Sequence, residues 1–140
     1  MERDDLGAMV ARLGRRLIAM EQPILGRHGL SMWAYVVLNG LAGGSVRTQA
    51  ALAASIGADK TRLIPILDDL QARSLIEREP DPADRRVRLL GLTAKGRALH
   101  LAVQGEIREA EAELLGDLPA GERDAFLRAL VALSTRAAPG

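Results

Sequence analysis

The chain has 140 residues, 48% of them hydrophobic but only 2% aromatic, carries no cysteine and has a formal net charge of +1. That length is one domain's worth, with room for a real core, and an aliphatic core suits packed helices better than aromatic-rich strands. Without cysteine there is no disulfide, no zinc–thiolate site and no thiol redox switch, which fits a reducing compartment.

The charged start, Met1-Glu2-Arg3-Asp4-Asp5, is not followed by a signal peptide or an apolar run of membrane-spanning length, so a cytoplasmic protein is expected. Leu6, Val10, Leu13, Leu17, Met20 and Ile24 then recur at helical spacing, predicting a helix over 5–27 in which Pro23 should cause a kink or a nearby end. His28-Gly29 is a break. Ser31 is a predicted N-cap for a buried helix, Met32 to Leu41, stopped by Gly43-Gly44.

Thr48 is the next N-cap, heading an alanine-rich helix that Gly57 closes. Asp59 caps the following helix, Lys60 to Arg73, whose Leu63, Ile66, Leu67 and Leu70 form one apolar side. Two short helices around a tight glycine turn are a helix-turn-helix signal. Leu75–Glu79 and Val87–Leu92 read as strands flanking the charged turn Pro80–Arg86. A hairpin in that place makes a winged helix, mainly α with a small β-hairpin wing, whose tip can carry an arginine into a minor groove. Thr93 caps a long helix to about Gly116, weakened by Gly96 and Gly105, and Pro119 opens a last one with Phe126, Leu127, Leu130 and Leu133 apolar.

Charge is unevenly spread. Residues 81–97 hold five basic side chains (Arg85, Arg86, Arg88, Lys95, Arg97) and two acidic (Asp81, Asp84), a net of +3. Residues 104–124 hold two basic (Arg108, Arg123) and seven acidic, a net of −5. A basic segment beside an acidic one describes a DNA-facing and a DNA-averse surface, although arginine-rich loops are often merely solvated.

This order of elements, with Asp81-Pro82-Ala83-Asp84-Arg85-Arg86 followed by Leu92-Thr93-Ala94-Lys95-Gly96 and with Gly57-Ala58-Asp59-Lys60-Thr61-Arg62-Leu63 opening the recognition helix, resembles the MarR family of bacterial transcriptional regulators. The resemblance implies a winged helix-turn-helix over 31–93, dimerisation helices over 1–30 and 94–140 within one compact domain, and a homodimer on near-palindromic double-stranded DNA. The terminal apolar stripes need burial, by a partner subunit or by each other.

Matched to the family's motifs, Arg86 stands at the minor-groove arginine, with Arg85 beside it as a phosphate ligand and Arg88 on the adjoining strand. Asp84 is suited to orient an arginine, and Asp81 to do the same or to begin the turn. Lys60, Thr61 and Arg62 can reach phosphates or base edges, Arg62 having the geometry for a bidentate guanine contact. Thr48 and Gln49 can meet phosphate at a helix N-terminus, and ordinary capping explains Thr48 equally well. Ile64 and Pro65 depart from the family's polar pattern; Ile64 is read as buried rather than touching a thymine methyl.

The family also implies an effector cleft for a small aromatic or phenolic anion. Arg12, Arg16, His28, Trp33 and Tyr35 are its candidates, against a reading in which Tyr35 is core and Trp33 packs at the helix start. No cofactor, metal site or catalytic constellation is expected, since His28 and His100 stand without cysteine and no phosphate loop or catalytic triad is recognisable. The competing reading is a winged-helix module for protein–protein assembly that has lost DNA binding.

Overall fold

In the computed structural model, which describes residues 2–43 and 47–135, the first apolar stripe forms helix α1 (Leu6–Arg27). Pro23 lies inside it, and the helix runs four residues further before His28 and Gly29, at φ 65°, turn the chain. Helix α2 (Met32–Leu41) begins where Ser31 Oγ accepts from the Ala34 amide at 3.1 Å, and it buries Ala34, Val37, Leu38 and Leu41. Gly44 lies outside the described residues.

Arg47–Thr48 form a short strand, β1, before helix α3 (Gln49–Ile56). Thr48 caps α3 through the Ala51 amide at 3.0 Å, and Gly57, at φ 69°, closes it in the left-handed conformation. Helix α4 (Lys60–Ala72) starts on Asp59, whose carboxylate accepts from the Thr61 amide at 3.2 Å. Pro65 is tolerated in its interior, although it has no amide hydrogen to give the Thr61 carbonyl one turn back. The chain leaves α4 through Ser74, at φ 60° the one non-glycine residue in the left-handed region among those described.

Strands β2 (Ile76–Pro80) and β3 (Arg88–Leu92) form the wing, each beginning one residue later than its sequence signal. Ile76 faces Leu92 and Pro80 faces Arg88 across the antiparallel pair. The sheet has a third strand that no sequence pattern predicted: β1 pairs with the other edge of β3, placing Arg47 opposite Leu90 and Thr48 opposite Leu89. The start of α3 is thereby fastened to the wing.

Helix α5 (Ala94–Leu115) is capped by Thr93, whose hydroxyl accepts from the Gly96 amide at 2.9 Å and donates to the Ser74 carbonyl at 2.6 Å. Gly96 is a packing position and not merely a weak point: a Cβ there would come within 1.9 Å of the Leu75 carbonyl oxygen. At Gly105 a Cβ would meet nothing within 4 Å. Helix α6 (Ala120–Ser134) closes the described chain and has no buried residue.

The chain divides into two compact units, Met1–Ile107 and Arg108–Gly140, with the division falling inside α5. The first unit holds the aliphatic core, centred on Leu25, Leu38, Leu41, Leu52, Leu63, Leu67, Leu70, Leu75, Ile76, Leu90 and Val103. His100, buried in the same core, stacks on Tyr35 with ring centroids 5.8 Å apart and shares a hydrogen bond of 3.0 Å with the Asn39 amide oxygen. No helix among the described residues is long and apolar enough to cross a membrane.

Candidate nucleic-acid interface

The side chains of α4 sort by its period. Leu63, Leu67 and Leu70 are buried, while Lys60, Thr61, Arg62, Ile64 and Pro65 are exposed. Ile64, expected to be buried, is 47% exposed because the core side of the helix is already filled by its leucines. The outward face of the first two turns is therefore cationic at its start and apolar just beyond.

Further along, Asp68 pairs with Arg78 of β2, and Arg78 also donates to the Gln71 amide oxygen at 2.7 Å. Asp69 reaches Arg73 at 4.0 Å. The adjacent carboxylates thus have different partners, and each cancels a positive charge on the first unit rather than standing against a polyanion. Arg73 also donates to the carbonyls of Gly29 and His28, at 2.9 and 3.2 Å, tying the end of α4 to the turn before α2.

The wing tip is built by its aspartates. Asp81 accepts from the Ala83 amide at 2.9 Å, and its own amide donates to the Val87 carbonyl at 2.8 Å, so it begins the turn. Asp84 accepts from the Arg86 amide and Nε, both at 3.1 Å, and from Nη2 at 3.3 Å. Those hydrogen bonds hold the Asp84 carboxyl below its ordinary value. The Arg86 side chain is 91% exposed even so, and Arg85 and Arg88 are exposed beside it. Arg88 also lines, with Gln49, Gln71 and Arg78, an open polar hollow of about 310 Å³ at the start of α3. Thr48 spends its oxygen as the α3 cap, which leaves its hydroxyl proton to donate elsewhere.

Four of the five effector-cleft candidates meet four different neighbours. Arg12 pairs with Asp4, His28 with Glu106, Trp33 with Arg62 and Tyr35 with His100, while Arg16 is exposed on α1. Glu106 also accepts from Arg27 at 3.1 Å, and the bonds from His28 and Arg27 lower its pKa. The pairing of Arg62 with Trp33 depends on how α2 and α4 pack, which no local sequence pattern announces.

Helix-turn-helix, hairpin wing and arginine-bearing tip define a winged-helix transcriptional regulator. Residues 28–87 match the family model described as the MarR family. The HTH-type transcriptional repressor NicR of Pseudomonas putida is 31% identical over 124 residues, which span 89% of this chain and 78% of NicR. With these matches, the chain belongs to the MarR family. Among solved structures, apo MarR from E. coli has a TM-score of 0.84 at 23% identity, covering 97% of this chain and all of that one, a likeness of fold. CouR bound to a 23-mer DNA duplex has a TM-score of 0.81 at 27% identity, covering 96% and 99% of the two chains. CouR from Rhodococcus jostii RHA1 bound to p-coumaroyl-CoA has a TM-score of 0.79 at 26% identity, covering 98% and 96%.

Proposed function

We propose that the protein is a cytoplasmic repressor that binds near-palindromic operator DNA as a homodimer and lets go when a small aromatic or anionic effector binds. The observation that carries the DNA reading is the wing tip, where Arg85 and Arg86 stand in solvent on a turn fixed by Asp81 and Asp84. Arg86 is shaped to enter a minor groove while Arg85 and Arg88 meet the flanking phosphates. Lys60, Thr61 and Arg62 open the helix that enters the major groove, and Gln49 and Thr48 face phosphate from the start of α3. DNA-bound CouR supports this reading of a similar chain.

Dimerisation is supported by the apolar surface left on the terminal helices. On α1, Leu6 is 64% and Val10 59% exposed; on α6, Leu130 is 49% and Leu133 71% exposed. Such continuous apolar faces mark an interface, and two-fold pairing matches a near-palindromic site. The effector is supported by CouR with p-coumaroyl-CoA, and Arg12, Arg16, His28, Trp33 and Tyr35 remain its candidate contacts on this chain.

Iterative selection from a randomised duplex library tests the proposal. Enrichment of an inverted repeat with half-sites about one helical turn apart is expected. A folded dimer that enriches no sequence would overturn it and leave the assembly module in its place. Thermal shifts with a panel of aromatic carboxylates test the effector, and no shift from any of them counts against it.

A further inference from the structure

Arg62 and Arg86 are the two arginines that the proposed function aims at the grooves, and the molecule holds them in different ways. Asp84 grips Arg86 by its N–H edge and sets a negative charge against it. Arg62 has no carboxylate partner among the described residues; its guanidinium carbon stands over the Trp33 ring, 5.7 Å from the centroid. Attraction to a π face takes up no N–H donor and leaves the positive charge uncancelled, so the N–H edge stays free for a bidentate acceptor. Trp33 is also firmly seated. It is half-buried at the second position of α2, one residue past the first after the Ser31 cap, on a helix anchored by Ala34, Val37 and Leu38.

We infer that Trp33 is a positioning residue for base recognition: it presets the Arg62 side chain for guanine and so sharpens discrimination at the base pair Arg62 reads. The inference rests on Arg62 being a base-reading residue. A free arginine loses rotamer freedom when it docks, and a ring that already orders it removes part of that loss.

The test is a double-mutant cycle measured by fluorescence anisotropy on the duplex enriched by the native protein, with variants of that duplex changed one base pair at a time. Trp33→Leu is expected to weaken binding to the enriched duplex by about 2–5-fold, the factor matching an exposed cation–π contact. It should flatten discrimination at one base pair per half-site, and Trp33→Tyr should restore both. In an Arg62→Ala background, Trp33→Leu should change nothing. Trp33→Met, which keeps bulk without a π face, carries the same cycle if Trp33→Leu lowers the melting temperature. An equal loss with and without Arg62, or a loss spread evenly over all base pairs, overturns the inference, as does a folded variant with native affinity and discrimination. If Arg62→Ala itself keeps native affinity and discrimination, the base-reading role of Arg62 has failed and the inference falls with it. Weakening by Arg86→Ala in that case leaves the wing's DNA contact standing.

Discussion

Two residues at the junction of α4, β2 and α5 show how narrowly the backbone is specified. Ser74 sits at φ 60°, a conformation that costs an L-residue roughly 1–2 kcal/mol relative to glycine. Its carbonyl is held by Thr93, and the Leu75 amide is bonded back to the Leu70 carbonyl, so the turn cannot relax into another shape. Ser74→Gly should therefore raise stability by about 1 kcal/mol in urea denaturation, with an unchanged m-value. Gly96 presents the opposite case. A methyl group there would run into backbone that cannot swing aside, so Gly96→Ala should lower stability by about 1–3 kcal/mol, whereas an alanine in an open helix site is normally stabilising. By helix propensity alone, both glycines of α5 are weaknesses. Only the approach of Leu75 separates Gly96 from Gly105.

At the scale of elements, the caps were the most legible feature. Ser31, Thr48, Asp59 and Thr93 each accept the amide hydrogen bond that their place before an apolar or alanine-rich run announces. Strand β1 was not legible, because two residues carry no alternation and exist as a strand only through pairing with β3. The exposure of Ile64 was hidden because hydrophobicity alone does not say which face of a helix meets the core. The contact of Trp33 with Arg62 and the burial of His100 against Tyr35 are tertiary events between residues distant in sequence. Another long-range contact, from the end of α1 to α5, has a consequence for pH. Hydrogen bonds from His28 and Arg27 depress the Glu106 carboxyl below its ordinary value of 4.5. A depressed folded-state pKa adds stability that is present above that value and is lost as pH falls through the folded one. Glu106→Gln should thus lower stability at pH 6 and flatten its loss below about pH 4.5, as read by thermal unfolding across pH.

For the whole molecule, the apolar faces of α1 and α6 and the cationic face of the wing make separate demands. On the proposed function, a second copy covers the first and a polyanion meets the second. In the proposed complex symmetry couples them, because two recognition helices reach successive major grooves only when the protomers are paired. Leu130→Asp, which places a charge on the exposed apolar side of α6, should shift the mass in sedimentation toward the monomer and weaken operator binding at least 10-fold, while circular dichroism keeps its helical signal. A monomer that binds the same duplex with native affinity would contradict that coupling. The acidic stretch 104–124 fits the same division, since its net of −5 would be repelled by phosphate wherever it approached DNA.

If the wing and recognition helix form a DNA interface, binding must depend on salt. Log affinity for the enriched duplex, followed by anisotropy from low to physiological salt, should fall linearly with log salt for the native protein. Arg86→Ala should weaken binding by roughly 1–3 kcal/mol, and replacing Arg85, the proposed phosphate ligand, with alanine should make the salt slope shallower by about one for each phosphate it neutralises. A native protein whose binding ignores salt, or an Arg85→Ala, Arg86→Ala double variant that binds as the native protein does, would contradict the account.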